Sequence, residues 1–196
     1  GHRVGAGGHV LEALFQESFG EHNGRRRAVT GHVGGLGGDL FDHLSADVRG
    51  LVAEGHAARC VTRTEAGRAG IEAAGGECWI GTPDVIGTLR YALENVTLLL
   101  WLLGTASGDE EKVAALHGSR LRMMLEKTTD TTVRGVIYEA VGPVGEPLLE
   151  SGVGEMELAR EKNAIPFALL HSDPLGDRDL WLAETEQAIE GLLAGP

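Results

Sequence analysis

Thr30, Gly31, Gly34 and Gly37 stand at the spacing T-G-x-x-G-x-x-G, inside the run Ala28-Val29-Thr30-Gly31-His32-Val33-Gly34-Gly35-Leu36-Gly37-Gly38. Glycines so spaced let a backbone turn tightly, come close to a pyrophosphate and pack a helix onto a strand. The N–H groups at that helix's start then face the phosphates. Gly accounts for 30 of the 196 residues, so the spacing gains weight only from what flanks it.

Other residues could do chemistry. Glu139 is expected at the carboxyl end of a strand, where a buried carboxylate can serve as a general base. The commoner role for such a group is to accept hydrogen bonds from nearby N–H groups. Tyr138 beside it is the other candidate for proton transfer. His171 and Asp173 follow a later strand and could line the same crevice, and His117 reads as a helix-face histidine. H-E-x-x-H, paired C-x-x-C, the P-loop pattern and G-x-S-x-G are all absent, which argues against zinc-protease, zinc-ribbon, P-loop and α/β-hydrolase readings. His2, His9 and His22 lack ligand spacing, and no metal site is expected.

These residues need elements to hold them. Short apolar runs alternate with helical stripes from residue 26 onward, with strands expected at about 26–30, 57–62, 77–81, 96–103, 133–138 and 167–170. The first helix carries Leu40, Leu44, Val48, Leu51 and Val52. Further helices are read at 65–74, from Thr82-Pro83 to about Asn95, after a Ser107-to-Glu110 capping box through Leu125, at 151–163 and at 179–193. Six strand–helix alternations imply a doubly wound parallel α/β sheet in one domain, a Rossmann sheet of about six strands ordered 3-2-1-4-5-6. Its ligand crevice lies at the carboxyl ends of strands one and four. Residues 28–196 form that domain. Residues 1–27, which contain a Leu-Glu-Ala-Leu-Phe-Gln run like a protease site used in expression vectors, read as an N-terminal tail; a short amphipathic helix at 10–16 is the alternative.

Composition narrows the classes. A net charge of −12 repels polyanions, so nucleic acid is not an expected partner. The apolar run 96–103 is too short to cross a bilayer, which takes about 20 residues. Cys60 and Cys78 fall in buried strands and read as reduced apolar residues, and a cytoplasmic protein is expected. Trp79, Trp101 and Trp181 are expected in the core or at an interface.

The glycine run, Gly55-His56 before the second strand, and Leu98-Leu99-Leu100-Trp101-Leu102-Leu103-Gly104-Thr105-Ala106 together resemble the short-chain dehydrogenase/reductase superfamily. The likeness is to its extended and atypical branches, the NAD-dependent epimerase/dehydratase and NmrA-like proteins, and it covers about residues 28–172. It implies a bound dinucleotide. Thr30, Gly31, His32, Gly34, Gly35, Leu36 and Gly37 would hold the pyrophosphate. Leu103, Gly104 and Thr105 would line the nicotinamide-side ribose, and Gly81 and Thr82 would lie near the adenine. NAD sites usually place an acid at the end of the second strand. Here Arg63 and Thr64 stand there, with Arg68 one helical turn on, and a guanidinium suits a 2′-phosphate. NADP is therefore favoured over NAD.

The sequence departs from the family in three places. The first helix is longer by about seven residues, close to two turns. Active members carry a Ser and then Tyr-x-x-x-Lys after the fifth strand. Here Glu139-Ala140 takes the Ser place, and Leu149 and Val153 fall near the Tyr and Lys places. The chain also stops before the substrate-binding lobe that extended members add. The expectation is an NAD(P)-binding protein with a cofactor-binding or regulatory role. One alternative is an NADPH-dependent oxidoreductase acting on a small carbonyl, quinone or flavin-like substrate, with Tyr138 or Glu139 assisting. Another is a structural subunit that binds nothing. Homo-oligomerisation is open.

Overall fold

The computed structural model describes residues 10–14, 48–53 and 56–195. The glycine run at 28–38, the strand expected at 26–30 and the first two residues of the first helical stripe, Leu40 and Leu44, lie outside the described residues.

Among the described residues six strands form one parallel sheet, in the order β3-β2-β1-β4-β5-β6. They are β1 (Val10–Leu14), β2 (Ala57–Thr62), β3 (Glu77–Ile80), β4 (Leu98–Trp101), β5 (Gly135–Glu139) and β6 (Phe167–Leu170). The central place belongs to β1, which pairs with β2 from Val10↔Ala57 to Leu14↔Val61 and with β4 from Leu11↔Leu98 to Leu14↔Trp101. The tail reading, and its alternative of a short helix at 10–16, are corrected for residues 10–14, which form a strand. The physical reason lies in composition. A strand paired on both sides in a parallel sheet is buried on both faces, and Val-Leu-Glu-Ala-Leu is apolar at every position but one.

Helices cover both faces. Leu99, Trp101, Val136 and Tyr138 alternate toward α3 (Glu110–Leu116), α4 (Ser119–Thr128) and α5 (Glu146–Asn163), meeting Leu116, Leu121, Met124, Leu125 and Met156. Leu98, Leu100, Ile137 and Leu170 face the other way, toward Trp181 and Ile189 of α6 (Arg178–Ala194). A third cluster packs Val48 and Val52 of α1, helical over 48–53, with Ile71 of α2 (Arg68–Ala73) against Ala58 and Cys60. This two-period alternation is what the apolar runs in the sequence encode.

Three helix boundaries differ from expectation. The helix expected to run from Thr82 to Asn95 is a 3-10 helix over Pro83–Thr88 followed by turns. Thr82 caps it as expected, its Oγ1 accepting from the Asp84 amide at 3.2 Å. The Thr88 hydroxyl then donates to the Val85 carbonyl at 2.7 Å, and the Arg59 guanidinium donates to the carbonyls of Ala92 and Glu94. Such side-chain bonds compete with a helical ladder. The long helix after residue 107 breaks at His117-Gly118 into α3 and α4, and its cap is Asp109, whose Oδ1 accepts from the Lys112 amide at 3.1 Å. α5 starts at Glu146, earlier than the expected 151, because Pro147 fits a helix's first turn and Gly145, at φ +97, supplies the entry bend.

Candidate functional site

Parallel strands bring all their carboxyl ends to one edge. The register Leu14↔Val61, Leu14↔Trp101, Thr62↔Ile80 and Trp101↔Tyr138 puts Arg63, Gly81, the 102–106 turn and Glu139 along that edge. β1 and β4 are neighbours there, and their chain connections leave in opposite directions along the sheet. That is the place where open α/β sheets bind ligands.

At the β2–β3 end the Arg63 guanidinium meets the Asp84 carboxylate at 2.8 Å, with both side chains largely buried. Asp84 is held in turn by the Thr82 cap. Gly81 donates its amide to the Thr62 carbonyl at 2.9 Å. A side chain on Gly81 would meet the Leu89 methyl at 2.7 Å, so this glycine serves packing. Arg68 lies on the exposed first turn of α2 and pairs with Glu65 and Glu72. Hydrogen bonding to Glu65 and then Glu72 pushes its guanidinium further up, and Arg68 in turn holds the Glu65 carboxyl below the usual range. Thr64 is extended, at φ −136, between the strand and the 3-10 turn. Arg63, Thr64, Arg68, Gly81 and Thr82 are thus gathered at one corner, together with three acids.

At the β4–β5 end the turn Leu103-Gly104-Thr105-Ala106 closes with the Ala106 amide donating to the Leu103 carbonyl at 3.0 Å. Glu139, 2% exposed, accepts from the Gly104 amide at 2.7 Å. The Gly104 carbonyl accepts from the Val144 amide at 3.3 Å. A Cβ on Gly104 would run into the Val141 carbonyl oxygen, and one on Gly142, at φ +148, would run into the Gly104 carbonyl. The backbone of the turn is therefore clamped by the loop after β5. Leu103 is buried and Thr105 half-buried.

Tyr138 does not face the crevice. Its side chain is fully buried, and its hydroxyl lies 2.7 Å from His117 Nδ1 and 3.3 Å from the Leu149 carbonyl. The hydroxyl donates to the Leu149 carbonyl, and the imidazole tautomer sets which atom donates in the shorter contact with His117 Nδ1. Among the described residues Nε2 has no partner in hydrogen-bonding geometry, although the Leu103 carbonyl lies beside the ring. Burial pushes the His117 imidazole down to about 4, partly offset by that carbonyl. Burial, and then the Glu139 charge, push the Tyr138 hydroxyl well above the usual phenol value. Gly152 of α5 makes the room, since a Cβ there would collide with the Tyr138 hydroxyl. The helix-face reading of His117 is corrected: it is 0% exposed and ties the α3–α4 break to β5. The sequence signal was the glycine that follows it inside an apolar stripe.

Leu149 is buried and Val153 packs against the same core, so the places aligned with a tyrosine and a lysine are apolar. His171 is exposed, and its amide, with that of Ser172, donates to the Glu184 carboxylate of α6. Burial pushes the Glu184 carboxyl up, but the amides of His171 and Ser172 and the Ser172 side chain together outweigh it and hold the group below its usual value. Asp173 accepts from the Leu175 amide at 2.9 Å. Among the described residues no cluster of three metal-binding side chains occurs, and no helix is long and apolar enough to cross a membrane. An open cleft of ≈ 720 Å³ lies at the opposite, amino edge of the sheet, between residues 90–95 and 127–132.

No family model matches the sequence, and no curated protein does. Solved structures do match in shape. UDP-glucuronic acid 4-epimerase from Bacillus cereus in complex with NAD aligns at TM-score 0.57 and 10% identity, covering 84% of this chain and 55% of that one. A short-chain dehydrogenase/reductase superfamily protein from Agrobacterium tumefaciens with bound NAD aligns at TM-score 0.51 and 16% identity, over 82% and 48%. The shared feature is the Rossmann-like parallel α/β fold. Triphenylmethane reductase from Citrobacter sp. shares it at TM-score 0.50 and 18% identity, over 83% and 48%. The chain spans about half the length of each of these proteins. The sequence motifs resemble the epimerase/dehydratase and NmrA-like branches, and an epimerase is among the structures that match in shape.

Proposed function

We propose that this chain binds a nicotinamide dinucleotide along the carboxyl edge of its sheet, in a cofactor-binding or regulatory role. The observation that carries the reading is the adjacency of β1 and β4 at the switch in strand order. In the chain, Thr30, Gly31, His32, Gly34, Gly35, Leu36 and Gly37 come after β1 and before the described turns of α1, and glycines at this spacing suit a phosphate-binding turn. Arg63, Thr64, Arg68, Gly81 and Thr82 would take the adenosine end, and Leu103, Gly104 and Thr105 the nicotinamide end. The residues at the described corner fit: a guanidinium, a hydroxyl and a carboxylate stand together on Arg63, Thr82 and Asp84.

NADP is supported by Arg63, placed at the strand end where a 2′-phosphate would lie. NAD is supported by the partners of the two arginines. Arg63 and Arg68 face Asp84, Glu65 and Glu72, a corner with one more negative charge than positive. A ribose hydroxyl can donate to such acids, whereas a phosphate is repelled by them.

A bound nicotinamide supplies hydride chemistry, and a partner proton needs a side chain that reaches the crevice. Tyr138 is committed to His117, Glu139 to the Gly104 amide, and the two aligned positions are Leu149 and Val153. These commitments support a binding role over an oxidoreductase. The test is thermal stabilisation by NADH and NADPH of the wild type and of Gly34→Asp. At 100 times the dissociation constant a binder should add about 2.7 kcal/mol. No shift with either cofactor overturns the reading; oxidation of NADPH in the presence of quinones or aldehydes would restore the enzyme.

A further inference from the structure

Cys60 and Cys78 are 18 residues apart in sequence and directly opposite one another on neighbouring strands, as the register pair Cys60↔Cys78 of β2 and β3. In-register residues of parallel strands point to the same face, and these two share the apolar cluster of Val48, Val52, Ala58, Ile71 and Ala74. Both are thiols in this structure. Adjacent strands lie about 4.8 Å apart, inside the span of roughly 4.4–6.8 Å between Cα atoms that a disulfide accepts. The two Cβ atoms have to come closer than strand spacing, to about 3.8 Å. β3 can yield that distance because, among the described residues, it is the edge strand and pairs with β2 alone. Cys60 is 0% exposed, while Cys78 is partly exposed and faces Arg68, Glu65 and Glu72 across the α2 turn.

We propose that Cys60 and Cys78 form a redox dithiol, which a small disulfide such as glutathione disulfide converts into a staple between β2 and β3. Cys78 is the entry point. Its thiolate attacks one sulfur of the oxidant, forming a mixed disulfide and releasing one thiolate. The Cys60 thiol gives its proton to that leaving thiolate and attacks Cys78 Sγ, releasing the second. The dithiol loses two electrons and two protons, and the oxidant becomes two thiols. Burial of Cys60 does not block the second step, since its target is the neighbouring sulfur. Burial and the two glutamates raise the Cys78 thiol while Arg68 lowers it. The first step is therefore the slow one and quickens in mildly alkaline buffer.

The test uses the full ligand-free chain, so its outcome is independent of any dinucleotide. The protein is incubated with glutathione disulfide at mildly alkaline pH, and intact mass is read before and after alkylation in denaturant. The expected wild-type product has lost two hydrogens, carries no glutathione and takes alkyl groups on neither cysteine until reduced. Cys60→Ala should stop at one glutathione adduct on Cys78, and Cys60→Val provides a second chain if the alanine fails to fold by circular dichroism. Cys78→Ala should not react while folded. A wild type that accumulates the Cys78 adduct overturns the proposal, as does one that stays reduced.

Discussion

The Glu139 carboxylate accepts a hydrogen bond from the Gly104 amide at 2.7 Å, joining the end of β5 to the turn after β4 across 35 residues of sequence. The acid is buried and the glycine's other faces are closed by Val141 and Gly142. This is a structural use of a strand-end carboxylate, and it shapes the turn that the proposed nicotinamide would touch. Glu139→Ala would leave a buried amide unsatisfied, so we expect a loss of about 1–3 kcal/mol in urea unfolding. Gly104→Ala places a methyl group against backbone and should cost at least as much.

His117 makes stability depend on pH. Its folded value is about 4, below the ordinary 6.5, so the native state binds fewer protons than the unfolded chain between those limits. The stability from keeping the ring neutral is therefore complete above pH 6.5 and is lost as pH falls toward 4. The loss across this window should be about 3 kcal/mol. Urea unfolding at several pH values checks it, and His117→Gln should flatten the curve there. Glu184 and Glu65, both held below their ordinary value of 4.5, add their losses as pH falls below that value.

Gly152 tests the space around Tyr138. Ala is the better helix former by about 1 kcal/mol, and an exposed Gly→Ala change in α5 would stabilise. Here the added methyl group meets the Tyr138 hydroxyl, so Gly152→Ala should destabilise by about 1–3 kcal/mol. Paired with Tyr138→Phe, which leaves His117 Nδ1 without its partner, the two changes should be non-additive.

Asp84 controls charge at the β2–β3 corner. On the proposed function, Asp84→Asn frees Arg63 from its acid and removes a repulsion to a 2′-phosphate. The preference for NADPH over NADH should rise roughly fivefold, about 1 kcal/mol. Titration of both cofactors reads it, and an unchanged ratio would remove this corner from cofactor choice.

Much of the frame was legible in the chain. The runs giving β2, β3, β4, β5 and β6 carry their own periodicity, and Arg63, Gly104 and Glu139 were placed at strand ends because those runs stop there. β1 is the exception: Val10–Leu14 is too short to show a period of its own, and the glycine run points the sequence reading to 26–30, which lies outside the described residues. The 83–95 stretch was read as a helix from its leucine spacing, but bonds from Thr88 and Arg59 override that pattern. His117 reads as a helix-face residue when the apolar stripe is carried across it, although Gly118 directly after it marks the break between α3 and α4.

The sequence by itself determined the parallel α/β class and the set of residues at the strand ends, since alternating burial and turn chemistry are local properties. Tertiary structure alone decided which of these residues meet. Glu139 with Gly104, Tyr138 with His117, Arg63 with Asp84 and Cys60 with Cys78 are all contacts between distant segments. Their existence depends on strand register and on what covers each face. A shift of one residue in register would send each side chain to the other side of the sheet.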